Sequence, residues 1–113
     1  MVRVPWYRSG MSEPAIGLRK VVIERALHGP GTVTGDARRA AFDNTGVDHR
    51  VRALVDAIAH NAWRVTDEDV AAVKRADVPE DEIFELAVCA ALGQATRQLD
   101  AALEALEEAA GGS

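Results

Sequence analysis

The fold is decided by residues 80–109, which read EDEIFELAVCAALGQATRQLDAALEALEEA and contain Gly93 as their only helix breaker. Between Ile83 and Ala95 nearly every residue is apolar or small, which predicts a central helix with no solvent-facing side. The second half of the segment narrows to an amphipathic stripe of Leu99, Ala102, Leu103 and Leu106. The pattern predicts one long helix or two collinear helices.

Two helices are expected before residue 50. Ser12, followed by Glu13 and Pro14, predicts the start of the first, and the turn residues 29–31 (Gly-Pro-Gly) end it. A short second helix is expected from about Asp36 to Phe42, closed by a turn at residues 43–46. Its inward residues would be Ala37, Ala40 and Ala41.

Two more helices are expected between residues 48 and 77. Asp48 is the predicted cap of the third, whose apolar residues follow a 3.6-residue period. In the fourth, Thr66 precedes three acidic residues, as in a capped first turn that complements the helix dipole. The apolar stripe of the third helix is Val51, Leu54, Val55, Ile58 and Ala62.

A length of 113 residues leaves room for one core. We expect a compact all-α domain of about five helices over residues 12–110, with an N-terminal extension at 1–11 and a tail at 111–113. The extension either packs Trp6 and Tyr7 onto the body or onto a partner, or it results from a mispredicted upstream start codon, with Met11 as the natural start. A helix hidden on all sides in so small a domain needs a second copy to cover it, so we predict a homo-oligomer.

Charge and cysteine content restrict the partners and the compartment. The net charge is −5, and residues 80–113 carry eight acidic side chains against Arg97 alone. No dense basic stripe is present to bind phosphates, so no nucleic-acid partner is expected. Cys89 is the single cysteine, and no apolar run is long enough for a membrane span or a secretory signal. These features predict a reduced, cytoplasmic protein without a membrane partner.

Residues 65–85, VTDEDVAAVKRADVPEDEIFE, precede the apolar run LAVCAALG at 86–93. Together they resemble the AhpD-like superfamily, which joins alkyl hydroperoxidases and carboxymuconolactone decarboxylases. The similarity extends over about residues 48–107 and is greatest to a short, cysteine-poor branch named carboxymuconolactone decarboxylase-like. It implies a bacterial helical protein of the AhpD-like fold.

The peroxidase members of that superfamily use a Cys-x-x-Cys-x-x-x-His motif, in which one thiolate attacks peroxide and the second resolves the sulfenic acid. A gapless count back from residues 78–83 places these three positions on Asn61, Arg64 and Glu68. The upstream glutamate of the motif falls near His49. No Cys-x-x-Cys occurs in the chain, so a two-cysteine peroxidase is not expected.

Four side chains are candidates for chemistry, each with a structural alternative. Cys89 lies among apolar residues, where a thiol is inert, so it is expected to fill the core instead of acting as a nucleophile. His60 has Asp56 and Arg64 four residues to either side, an arrangement that suits either a general acid or base or a structural histidine.

Glu85 lies at the start of the apolar segment, where partial burial would raise its pKa toward neutrality and allow proton exchange. The alternative is a structural role, in which Glu85 interacts with the helix dipole or forms an ion pair with Arg97 of a neighbouring subunit. Arg97 would clamp a substrate carboxylate or offset Asp100 or Glu104. The histidines have no metal-ligand spacing and no phosphate loop is present, so neither a metal nor a cofactor is expected.

Three functions follow from these observations. The first is a binding or accessory module on an AhpD-like scaffold, with a partner protein or a small carboxylate as ligand. The second is a cofactor-free decarboxylase or lactone-processing enzyme using His60, Glu85 and Arg97, which requires the three side chains to converge. The third is an alkyl hydroperoxidase-type antioxidant enzyme. The first is the function that we predict.

Overall fold

The computed structural model describes residues 13–111, with side chains from residue 17 onward. This part of the chain is all-α and contains no strand. It comprises α1 (Glu13–His28), α2 (Gly35–Asp43), α3 (Arg52–Asn61), a 3-10 turn (Ala62–Arg64), α4 (Asp67–Arg75) and α5 (Glu80–Gly111). The expected cap Ser12, the alternative start Met11, and Trp6 and Tyr7 of the extension lie outside the described residues.

Helix α2 has both of its ends fixed by local chemistry. The Thr34 hydroxyl accepts a hydrogen bond from the Ala37 amide (3.2 Å), so Thr34 is the N-cap. At the other end Asn44 adopts a left-handed conformation (φ 52°), and its amide donates to the Ala40 and Ala41 carbonyls. The predicted helix is therefore present, one residue longer at each end than expected.

Helix α3 departs from prediction at both ends. Asp48 is not its N-cap. Oδ1 of Asp48 accepts a hydrogen bond from the Arg50 amide two residues later (2.8 Å), which closes a local turn before the helix. Val51 takes the cap position without a side-chain hydrogen bond. Ala62 is exposed, because the helix ends at Asn61 and the chain tightens into the 3-10 turn. The predicted core residues Val51, Leu54, Val55 and Ile58 are buried.

The first turn of α4 is a complete capping box, which confirms Thr66 as its cap. The Thr66 hydroxyl accepts from the Asp69 amide (3.2 Å), and the Asp69 carboxylate accepts from the Thr66 amide (2.9 Å). The three acidic residues of this turn also complement the positive helix end.

Helix α5 is a single unbroken helix and packs against every other α-helix of the described chain. The expectation that a second copy completes the burial of its first half stays a prediction, since the single chain leaves part of that half exposed. Phe84 is 69% exposed and Val88 is 37% exposed. Only one face is buried, because the other four helices cover α5 from one side. The buried residues are Ile83, Leu86, Cys89, Ala90 and Gly93.

Gly93 sets the distance between α5 and the C-terminal end of α2. A Cβ atom at this position would overlap the Phe42 carbonyl oxygen. Since glycine lacks that atom, the backbones of the two helices come into direct contact. The breaker in the sequence is therefore a packing residue and does not interrupt the helix.

Candidate functional site

A buried arginine, which the sequence analysis missed, joins three segments. Arg38 of α2 is 4% exposed, and its Nη1 donates to the Gly29 carbonyl (2.7 Å) and, at 3.5 Å, to the Ala26 carbonyl. Its Nη2 lies 3.2 Å from Oε1 of Glu85 on α5. The guanidinium thus satisfies carbonyls at the negative end of α1. A signal was available, since Arg38 lies three and four residues before the buried Ala41 and Phe42.

Glu85 accepts several hydrogen bonds from the loop between α1 and α2. The donors are the Thr32 amide (2.9 Å and 3.1 Å to the two oxygens), the Thr32 hydroxyl (2.6 Å) and the Val33 amide (3.3 Å). The Thr32 hydroxyl is the main cause of a lowered Glu85 pKa, which burial opposes. Of the two alternatives for Glu85, the raised pKa is therefore wrong, and the ion-pair role is present with Arg38 of the same chain as the partner.

Cys89 lies next to this pair but is closed off from solvent. Its side chain is 1% exposed, and Sγ donates to the Ala26 carbonyl (3.4 Å). Burial raises the pKa of the thiol, and the Arg38 charge offsets this only in part. A protonated, inaccessible thiol is a poor nucleophile, so the geometry matches the core role expected of Cys89.

Two open pockets adjoin the Arg38–Glu85 pair. The smaller, about 130 Å³, lies beside Arg25, Pro30, Phe84, Val88 and Cys89. The larger, about 510 Å³, is lined by Gly31, Thr32, Glu80, Asp81, Phe84 and Glu85. The polar groups at their base already bind protein atoms, although Nε of Arg38 is buried without a hydrogen-bond partner. The arrangement is suited to holding the loop and helices together.

His60 lies on the surface, at the last turn of α3. Its Nδ1 is 2.9 Å from the Asp56 carbonyl oxygen and 3.3 Å from Oδ1 of Asp56. The expected pairing with Asp56 is present, but Asp56 also accepts from the Asn44 side chain (3.2 Å). Arg64 is turned away and stacks over the Trp63 ring at 4.7 Å.

Arg97 caps α2. Its Nη1 donates to the Phe42 carbonyl (2.6 Å), and its Nη2 donates to Oε1 of Gln94 (3.2 Å). Of the two acidic residues that Arg97 could offset, Asp100 accepts instead from Arg19 of α1 (2.7 Å). The Arg97 guanidinium is therefore engaged by the backbone of its own chain.

The three proposed catalytic residues do not meet. Glu85 and Arg97 stand twelve residues apart on α5, about 18 Å along the helix axis. Glu85 binds Arg38 in the first half of α2, and Arg97 binds the Phe42 carbonyl at the C-terminal end of α2. His60 contacts the Asp56 carbonyl within α3. The convergence that the enzyme hypothesis requires is absent from this arrangement.

The positions matched to the superfamily motif also lie apart from the pockets described above. Asn61 ends α3, Arg64 ends the 3-10 turn, and Glu68 is in the first turn of α4; all three are exposed. Glu68 accepts from Arg75 (2.6 Å). His49, matched to the upstream glutamate, is also exposed.

An apolar groove runs between α1 and α5, on the side of α5 that the other described helices leave open. We call it the α1–α5 groove, and its volume is about 320 Å³. Leu18 is 65% exposed, Val22 42% and Leu99 40%. Arg19, paired with Asp100, holds the two helices together at one end. The lining residues are Leu18, Arg19, Val22, Ile23, Leu92, Ala95, Thr96 and Leu99.

These features define an all-α protein with a structural ion pair at one end of the helix bundle and an open apolar groove along its side. Comparisons of the chain with protein-family models, with curated proteins and with solved structures gave no significant match. Within residues 13–111 no three His, Cys, Asp or Glu side chains are grouped to hold a metal ion. In the same range no helix has the length and apolar character to cross a membrane.

Proposed function

We propose that this chain is a cytoplasmic binding or accessory module on an AhpD-like scaffold, without catalytic chemistry of its own, and that it acts through the α1–α5 groove. The observation that carries the proposal is a contrast. The polar groups of Arg38 and Glu85 hold the chain's own segments, whereas Leu18, Val22 and Leu99 along the groove are exposed. Exposed apolar surface of this kind is typical of protein-binding faces.

The two enzyme hypotheses receive less support. Acid-base catalysis would need His60, Glu85 and Arg97 within reach of one substrate, and their contacts separate them. Peroxide reduction would need an accessible thiolate, and Cys89 is buried with a raised pKa. Homo-oligomerisation belongs to the proposal, because a second copy is one occupant that would cover the groove.

Turnover assays test the absence of catalysis. The wild-type chain, Cys89→Ala and His60→Ala are incubated with alkyl hydroperoxides and with carboxylated lactones. We expect consumption no faster than in buffer for all three. Turnover by the wild type that is lost in either variant would show the proposal to be wrong, and circular dichroism of each variant controls for misfolding.

A further inference from the structure

The exposed side of α5 carries a heptad pattern. Leu92, Leu99 and Leu106 stand seven residues apart, which corresponds to a positions. The d positions, four residues before each leucine and three after the last, hold small or β-branched residues. Together the stripe covers three heptads, about 32 Å of helix. These d residues are Val88, Ala95, Ala102 and Ala109.

Most of this stripe is exposed and none of it is charged, while Leu92 at its N-terminal end is partly buried against the core. Leu99 and Leu106 are 40% and 50% exposed, and Ala95, Ala102 and Ala109 are exposed as well. The flanking e and g positions of the same heptads hold no charged residue. The charges between residues 88 and 109 all take the b, c and f positions. They are Arg97, Asp100, Glu104, Glu107 and Glu108.

The alternation of large and small residues indicates what covers the stripe. In an antiparallel helix pair each a residue faces a d residue of the other helix, so every leucine would lie beside an alanine. In a parallel pair leucine would face leucine and alanine would face alanine, leaving gaps at each alanine layer. The stripe is therefore complementary to its own inverted copy.

We propose that the α1–α5 groove binds α5 of a second copy of this chain in antiparallel orientation, around a two-fold axis between residues 100 and 101. This register places Leu99 beside Ala102 of the partner subunit, and Leu106 beside the partner subunit's Ala95. The inference rests on the proposed function, for which it names the partner.

The groove accommodates that helix. Leu18 and Val22 of α1 form one wall, and Leu92, Ala95 and Leu99 of α5 form the other. The partner helix would bury these side chains together with the C-terminal turns of α5, where Leu106 is half-exposed. The two α1 and two α5 helices then form a four-helix bundle with a shared apolar core.

A matched pair of substitutions tests the face. Ala101 and Ala102 are adjacent and both exposed, but Ala101 is at a c position and Ala102 at a d position. We expect wild type and Ala101→Glu to sediment as dimers and Ala102→Glu as a monomer, with helical circular dichroism unchanged in all three. A monomeric wild type, or equal effects of the two substitutions, would overturn the inference.

Single cysteines test the orientation. In a Cys89→Ala background, Leu99→Cys and Ala102→Cys chains of different tag mass are mixed and oxidised. Antiparallel pairing favours the disulfide between the two different variants, whereas parallel pairing favours Leu99→Cys homodimers and would contradict the inference. Neither experiment measures turnover. If both fail, the proposal that the chain is not catalytic still stands. If the wild type shows turnover that Cys89→Ala lacks, the dimer geometry still stands.

Discussion

The Arg38 guanidinium lies 3.2 Å from the Glu85 carboxylate, with only 5% of the arginine side chain and 20% of the glutamate side chain exposed. This pair joins α2 to α5, and each partner extends the link further. Arg38 holds the C-terminal carbonyls of α1, while Glu85 holds the amides of the loop that follows. Four segments of chain therefore depend on two side chains.

Replacement of Arg38 is expected to destabilise the fold strongly. Arg38→Met fills much of the same volume but leaves Glu85 without its partner and the Gly29 carbonyl without its donor. We expect a loss of about 3 kcal/mol in the free energy of unfolding, measured by urea denaturation. Arg39→Met is the matched control. Arg39 is exposed, and it contacts Asp43 and the Phe42 ring (5.7 Å to the centroid) on its own helix, so the stability lost with it should be within about 1 kcal/mol. Equal losses for the two variants would contradict the role given to Arg38.

Stability should fall in acid partly through Glu85. Its pKa is lowered in the folded chain, chiefly by the Thr32 hydroxyl, from an ordinary value of 4.5. A lowered folded-state pKa gives stability that is present above pH 4.5 and lost as the pH falls through the folded value. The difference in unfolding free energy between wild type and Glu85→Gln should therefore be constant near neutrality and shrink below about pH 4.5.

Asp48 provides the control for that experiment. The Arg50 side chain lowers its pKa to about 2, so it also titrates in acid. Because Asp48 does not contact Glu85, the Asp48→Asn and Glu85→Gln effects should add at each pH. A difference between wild type and Glu85→Gln that stays the same throughout the acid range would refute the assignment.

Gly93 should not tolerate alanine, although alanine is the better helix former. The added Cβ would overlap the Phe42 carbonyl, and we expect a loss of about 2 kcal/mol in thermal or urea unfolding. Gly17→Ala is the matched control, because Gly17 is also helical and has nothing within 4 Å of an added Cβ. That substitution should stabilise the chain by up to about 1 kcal/mol. Stabilisation by both would show that α2 and α5 do not meet at Gly93.

The Cys89 thiol should react only when the chain opens. With 1% exposure and a raised pKa, it is expected to resist a thiol reagent such as 5,5′-dithiobis(2-nitrobenzoate) in native buffer and to react fully in denaturant. Arg38→Met should accelerate the native reaction, because it loosens the neighbouring segment. Fast modification of the folded wild-type chain would count against the burial of this thiol.

Much of the helix pattern could be predicted because periodicity and capping are local. Thr66 and its acidic turn, and the stripe from Val51 to Ile58, are encoded within a few residues. The sequence does not distinguish Asp48 from a helix cap, because an aspartate side chain accepts a hydrogen bond from the backbone of a local turn as readily as from the first turn of a helix. Which side of α5 the other helices of the chain cover could not be predicted, because composition does not indicate it.

The candidate site was less predictable, since its contacts are long-range. Glu85 meets Thr32 and Arg38 across separations of 53 and 47 residues, and nothing near Glu85 in the sequence indicates those partners. Arg97 likewise finds a backbone carbonyl 55 residues away. Backbone acceptors have no sequence signature, so an arginine that caps a distant helix is indistinguishable from one that binds a ligand.

Gly93 and Arg97 stand one helical turn apart on α5, and both meet the Phe42 carbonyl at the C-terminal end of α2. Glu85 lies two turns before Gly93 and meets Arg38, nearer the N-terminal end of α2. Together they fix the rotational phase of α5. One residue inserted between Glu85 and Gly93 would turn the rest of the helix by about 100°, so that only one of the two attachments would survive. Changes in the length of α5 should therefore leave these attachments intact only beyond Arg97, where they would instead disrupt the spacing of the leucine stripe.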